Sequence, residues 1–364
     1  MSNPGPMSPV NQPFEVRLLE FSRRYPRFWS FASGTVCVGM TLIAKGWLKT
    51  QRSVEVGGME RFEKILASRE AEGRGVITVS NHISTVDDPL LWGTLPLRTV
   101  FKGPSYSRYS LGSADICYTN STLSTFFSLG QTLPTYRFGQ YGPFQPSISR
   151  AIHLLSPEYP TSSSKPKIKR IPSLVHVFPE GKIRQHPDRE MRYFKWGISR
   201  MILESCIPPD VSPDKPLPPP PIVVPIFFTG LDDVMHENRK RPRFLPRMRK
   251  DIKFTFGEPL PDEMWTGYRQ RWAEMCAAHN YRSTFGKEKL VDFSDKEIPE
   301  ELKNGEEAKA MRSEIAAVIR EEVVKLRRGM GLPEEDPNAK VVGAKLTNGW
   351  GDESDIIEKE PPVV

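Results

Sequence analysis

Asn81-His82-Ile83-Ser84-Thr85-Val86-Asp87-Asp88-Pro89 is the stretch on which the reading of this chain turns. It follows Gly75-Val76-Ile77-Thr78-Val79-Ser80, a β-branched run with the length of a buried strand. It leads into Leu90-Leu91-Trp92-Gly93, which reads as the opening of a helix. A histidine therefore leaves a strand with a carboxylate five residues on. Five residues carry an ideal helix about 140° past one full turn, so the two side chains cannot share a helix face. They meet only if the segment between them is a turn leading into the helix. Such a pair suits general-base chemistry: imidazole accepts a proton near neutral pH, and a carboxylate fixes its tautomer and stabilises the imidazolium. The proton taken would be that of an attacking hydroxyl.

The spacing alone is weak. With six histidines in the chain, an H-x-x-x-x-D match arises by chance roughly one time in three. A lone histidine after a strand is more often a satisfied polar residue than a catalyst. Leu174-Val175-His176-Val177-Phe178-Pro179-Glu180-Gly181-Lys182 shifts the balance, because it is a second apolar strand that ends in a carboxylate beside glycine. Two strand ends that both deliver ionisable groups are what an α/β active site requires. His176 reads as a structural histidine before a second base, since Pro179 interrupts any regular strand face shared with Glu180.

NHxxxxD followed by FPEG resembles the glycerolipid acyltransferases. The likeness extends through NHISTVDDPLLWG (81–93), ADICYTN (114–120), SLGQTLPTYR (128–137), HVFPEGK (176–182) and FKWGISRMILE (194–204). It covers about residues 25–260, with a weaker echo in the C-terminal helix; Asp87-Asp88-Pro89 and the KWG after FPEGK are its most specific parts. The resemblance implies an α/β fold with a mixed central sheet flanked by helices, and a membrane-associated helix at the N-terminus. It implies catalytic roles for His82 and Asp87, and substrate-binding roles for Arg137, Glu180 and Gly181. Glu180 would bind the glycerol hydroxyl of the substrate or orient the dyad. Arg137 would hold a lipid phosphate, which a guanidinium grips bidentately; here Phe138 stands between Arg137 and the glycine that usually follows it in the family. Pro221 and the run after it resemble the family block that lines the acyl pocket.

Within the family the surrounding words are nearest to the branch that moves acyl chains between phospholipids and lysophospholipids without coenzyme A. That branch implies cardiolipin and monolysocardiolipin as substrates, no cofactor or metal, and monotopic attachment to mitochondrial membranes facing the intermembrane space. The competing expectations are a coenzyme-A-dependent lysophospholipid or glycerol-phosphate acyltransferase and, in a different class, a non-catalytic membrane-binding scaffold.

Composition limits the possibilities independently. The 364 residues give room for one large domain with appendages or two small ones. Proline, at 35 residues, is about twice its usual share and clusters at 156–173 and 208–221, which read as surface insertions. Cys37, Cys117, Cys206 and Cys276 are far apart with no C-x-x-C pair, so neither a zinc site nor a disulfide framework is indicated. The net charge of +7 points to an anionic partner. An anionic membrane surface is preferred to nucleic acid, because the basic cluster within Asp232–Lys250 is broken by prolines and fits a loop between two strands.

Residues 1–15 read as disordered and 16–50 as a membrane-interface helix. The uncharged run Phe28–Ala44 is at the lower limit for a span, and its Arg, Lys and Trp flanks suit the headgroup region, so a helix dipping into one leaflet is preferred to a full crossing. A buried packing helix is the plainer alternative. Val54–Glu70 reads as a strand and helix feeding the sheet, Thr99–Lys102 as a short strand, and Ala114–Thr132 either as core or as a second membrane patch through Phe126, Phe127 and Leu129. Ser147–Leu155 and Phe194–Ser205 read as helices, Ile222–Phe228 as a buried strand, and 261–303 as a polar insertion. Glu306–Arg328 has an amphipathic 3–4 period and docks on the domain or a membrane, and 329–364 is a tail without apolar period. Lys182 and Lys195 stand where phosphates could be met, although solvent is the default for each.

Overall fold

The computed structural model describes residues 14–136, 142–157, 171–207, 216–281 and 298–335. Arg137 lies outside them, as do most of the insertion at 156–173, the first part of the proline run at 208–221, residues 282–297 and nearly all of the tail.

Seven strands form one sheet: β1 (Ser53–Gly57), β2 (Val76–Ser80), β3 (Arg108–Ser113), β4 (Thr132–Thr135), β5 (Leu174–Val177), β6 (Ile222–Thr229) and β7 (Asp251–Phe256). Their order is β1-β7-β6-β2-β5-β3-β4. Five strands from β6 to β4 are mutually parallel, whereas β7 is antiparallel to β6 and β1 is parallel to β7. The sheet is mixed and flanked by helices. β2 and β5 are wholly buried and β6 is buried except at its last residue, Thr229, which is why they read as nearly unbroken apolar runs. β7 lies nearer the edge and alternates exposed with buried residues.

The period of two divides the apolar side chains between two cores. Ile77, Val79, Val175, Val177 and Phe227 pack with the helices Pro146–Leu155, Gly197–Glu204 and Glu306–Gly329. Val76, Val224, Ile226, Phe228 and Phe254 pack on the other face with the helices Met59–Glu72 and Asp87–Trp92. Each fully buried aliphatic or aromatic side chain contributes about 1.5–3 kcal/mol. Met59–Glu72 begins at Gly58, where φ is +79° and a Cβ would lie 2.1 Å from Phe256 O, so that tight entry onto β7 requires glycine.

Thr99–Lys102, expected as a strand, is instead the end of a one-turn helix, Leu97–Val100. Pro96 O accepts the amides of Thr99 (2.9 Å) and Val100 (3.3 Å), and Thr99 Oγ1 donates to Glu63. Closure of this turn outweighs the β preference of a Thr-Val pair. The stretch 261–303, expected as a polar insertion, contributes the helix Glu263–Ala278, with Trp265 and Trp272 in the core.

The segment read as one helix over 16–50 is two, Phe14–Arg24 and Pro26–Leu48, with Pro26 opening the second. Pro26–Leu48 is long and apolar enough to cross a membrane by length and composition. Ser33, Cys37, Ala44 and Leu48 form a buried stripe against the domain, and Ser33 Oγ donates to Leu129 O at 2.7 Å. Phe28, Phe31 and Ile43 on its other faces are 60%, 75% and 67% exposed. From the 114–132 stretch, Phe126 is exposed whereas Phe127 faces a cavity.

Candidate active site

β2 delivers Asn81 and His82 to the rim of that cavity, and β5 delivers Phe178 to Gly181 beside them. Asn81 is buried and completes the hydrogen bonding where β2 ends: its amide donates to Phe228 O (2.9 Å) and accepts from Phe228 N–H (3.1 Å). This pins the exit of β2 to β6, so the next residue leaves the sheet in one direction.

The chain then turns through Ile83–Val86 into the helix Asp87–Trp92. The turn brings together the two residues that a helix alone would separate: His82 Nδ1 lies 2.8 Å from Asp87 Oδ2. The same oxygen accepts the amides of Ile83 (2.7 Å) and Ser84 (2.8 Å). Asp87 is wholly buried, and burial pushes its carboxyl above the usual carboxylate range against the pull of His82 and the Ser84 and Ile83 amides. With Nδ1 donating to the carboxylate, Nε2 carries the lone pair. The ring stacks on Phe178 at 4.3 Å between centroids, which restricts its tilt.

Glu180 is 3% exposed, and both of its oxygens are engaged by backbone: Oε1 accepts His82 N–H (2.8 Å) and Oε2 accepts Arg192 N–H (2.7 Å). Burial lifts its carboxyl to about 7. Of the two roles the resemblance allowed, this geometry suits orientation of the dyad. Gly181 has φ +72°, and a Cβ there would come within 2.9 Å of Lys195 Cε on the cavity wall.

His176 is fully buried between the Thr78 hydroxyl (Nδ1, 2.9 Å) and the Ser80 hydroxyl (Nε2, 3.3 Å), and burial drives its pKa down to about 3. It is a neutral packing residue flanked by Trp92 and Phe178.

The cavity measures about 570 Å³. Leu111, Phe127, Ile148, Phe178 and Ile198 give it an apolar wall, and His82, Asp88, Lys182 and Lys195 supply its polar groups. Among the described residues no cluster of three His, Cys, Asp or Glu side chains is placed to hold a metal ion.

The doubled aspartate stands out in the sequence, but nothing there assigns a role to Asp88. Asp88 pairs with Arg108 at the start of β3, through Nε at 3.1 Å and through Nη2, and Arg108 Nη1 donates to Gly130 O at 3.0 Å. Burial acts to raise the Asp88 carboxyl, but the guanidinium outweighs it and holds the group below its ordinary value. The twin acid was the available signal; its partner, twenty residues on in an unpredicted strand, had none. The support of the 188–192 loop was equally invisible. Glu335 accepts Met191 N–H (2.9 Å) and Arg320 Nη2 (2.6 Å), Arg320 Nε donates to Arg192 O (2.9 Å), and Arg327 reaches Asp188 O (2.6 Å) and Arg189 O (3.1 Å).

A family model described as acyltransferase matches residues 53–229, which span the strands and loops just described. Tafazzin of Saccharomyces cerevisiae is 40% identical over 349 residues, covering 88% of this chain and 85% of that protein. N-acylphosphatidylethanolamine synthase of Arabidopsis thaliana is 30% identical over 67% of this chain and 76% of its own length. Tafazzin of Drosophila melanogaster is 31% identical, over 69% of this chain and 57% of its own.

Proposed function

Because this chain belongs to the tafazzin family and is an acyltransferase, we propose that it moves acyl chains between phospholipids and lysophospholipids without coenzyme A, using His82 and Asp87 as its catalytic pair. The observation that carries this reading is the 2.8 Å contact of His82 Nδ1 with Asp87, which leaves Nε2 for the cavity. Nε2 removes the proton from the free hydroxyl of a lysophospholipid, and the oxygen attacks an ester carbonyl of the donor phospholipid. The tetrahedral intermediate collapses by breaking the donor's ester C–O bond. The departing glycerol oxygen takes the proton back from His82, so the donor leaves as a lysophospholipid and the acceptor as a diacyl lipid. Asp87 stabilises the imidazolium between these steps, more strongly in a buried site than in water.

Glu180 acts as a positioning residue through the His82 amide, and Gly181 keeps the wall open for the substrate headgroup. Lys182 and Lys195 on the cavity wall suit a lipid phosphate, the role that the family resemblance gives to Arg137. Cardiolipin and monolysocardiolipin are the substrate pair we propose, on mitochondrial membranes facing the intermembrane space, with the exposed apolar faces of Pro26–Leu48 as monotopic attachment.

The test is purified protein with a radiolabelled diacyl phospholipid and an unlabelled lysophospholipid, with no thioester present. Transfer is expected, and His82→Ala or Asp87→Asn should lower it by at least about 10²-fold without loss of fold. Transfer only when acyl-coenzyme A is added would replace this reading with the thioester-dependent one. Indifference to both substitutions would leave a membrane scaffold. Phosphatidylethanolamine as acceptor belongs in the same assay, since an amide product would favour the chemistry that names the Arabidopsis relative.

A further inference from the structure

Between β6 and β7 the chain makes an excursion, 235–250, whose outer part, 239–250, does not line the catalytic cavity. From Arg239 to Lys250 it contains no acidic residue. It is ordered by its own arginines: Arg239 donates to His236 O (2.7 Å), Arg247 N–H to Val234 O (2.9 Å), and the Arg247 guanidinium to Lys240 O. That leaves Lys240, Arg241, Arg243 and Arg249 exposed around three apolar side chains that face water, Phe244 at 82%, Met248 at 58% and Leu245 at 48%. Apolar side chains at a loop tip, held in water by a framework of cations, have no folded-state benefit.

Both ends of the loop are anchored. At its start, Gln185 Nε2 donates to Ile83 O (2.8 Å) and Met235 O (3.1 Å), and Glu237 N–H donates to Gln185 Oε1 (2.8 Å). Ile83 follows His82, and Glu237 itself lines the catalytic cavity. At its end, Arg249 N–H donates to Thr50 O (3.2 Å), Lys250 N–H to Gln51 Oε1 (3.0 Å) and Arg52 N–H to Lys250 O (3.0 Å). Those partners directly follow the apolar helix Pro26–Leu48.

We propose that 239–250 is a second membrane-contacting element, with Phe244, Leu245 and Met248 entering the headgroup–acyl boundary of an anionic bilayer and Lys240, Arg241, Arg243 and Arg249 meeting lipid phosphates. Because it runs from the cavity rim to the end of the apolar helix, it makes a two-point contact that sets the cavity mouth at the lipid surface. This rests on the lipid-exchange reading for its occupant, and its test is separate from the chemistry.

The experiment is flotation of the full chain with vesicles of phosphatidylcholine alone or with anionic phosphatidylglycerol, over a range of salt. Phe244→Ser combined with Leu245→Ser, and separately Arg241→Glu combined with Arg243→Glu, should each weaken partition into anionic vesicles at least about tenfold. Thermal unfolding should change little, because these side chains are exposed and none belongs to either core. His82→Ala should bind as the wild type does, so loss of chemistry and loss of contact read out apart. Phe244→Trp supplies a second measurement: its added indole should be quenched by brominated anionic lipid beyond the quenching seen in the wild type. Wild-type partition by both loop variants, no added quenching, or capture of RNA in preference to vesicles would overturn the proposal.

Discussion

The Asp88–Arg108 pair borders the site, yet the sequence alone gives no sign of it. Both groups are largely buried, at 22% and 15% side-chain exposure, so removing one leaves the other without its counter-charge. Asp88→Ala should therefore destabilise by about 3–5 kcal/mol in urea unfolding. The double variant Asp88→Leu with Arg108→Met should cost less than the two single losses summed, and strict additivity would argue against a coupled pair. His176 has a different signature. Its folded pKa of about 3 against an ordinary 6.5 means that the unfolded chain takes up a proton on acidification first. This group's stabilisation is complete above 6.5 and is lost as pH falls towards 3. Glu180 works in the opposite sense: raised from 4.5 to about 7, its stabilisation is present below 4.5 and is lost as pH rises through 7. The stability difference between wild type and His176→Asn should thus grow as pH rises from about 4 to 6.5. A constant difference across that window would show that the imidazole is not held neutral.

Among the elements, the helix Pro26–Leu48 presents two faces that separate by experiment. Phe31→Ser with Ile43→Ser alters only exposed positions, so vesicle binding should weaken while the unfolding midpoint stays put. Ala44→Leu alters the docked stripe, where Ala44 Cβ already sits 2.7 Å from the place a Cβ on Gly93 would occupy. Overpacking there should cost about 1–3 kcal/mol, read by thermal unfolding. Elements also differ in how plainly the sequence announces them. β2, β5 and β6 are legible because burial on both faces demands an unbroken apolar run. The helix Glu263–Ala278 is not, because its buried face includes Arg269, whose guanidinium donates to Ile202 O (2.6 Å), Ser205 O (2.7 Å) and Pro218 O (3.0 Å). A charge in the core that satisfies backbone carbonyls erases the periodic signal. β3 is hidden for a related reason: Arg108 at its head looks like a surface residue until its acid is found.

Across the whole molecule the dyad itself was legible, since two motif words and a turn argument predict that His82 and Asp87 meet. The shell that holds them was not, because it comes from segments remote in sequence, and hydrogen bonds to backbone groups leave little trace in residue type. Arg320, Arg327 and Glu335 grip the 188–192 loop, Arg192 N–H donates to Glu180, and Glu180 receives the His82 amide. A premature stop codon near position 300 would spare every recognisable motif, yet the product would lack the brace behind its own histidine. Late nonsense and frameshift alleles should therefore behave as nulls, with little protein surviving quality control. Supplying residues 304–335 as a separate peptide is the complementation that would measure how much of the defect is bracing alone.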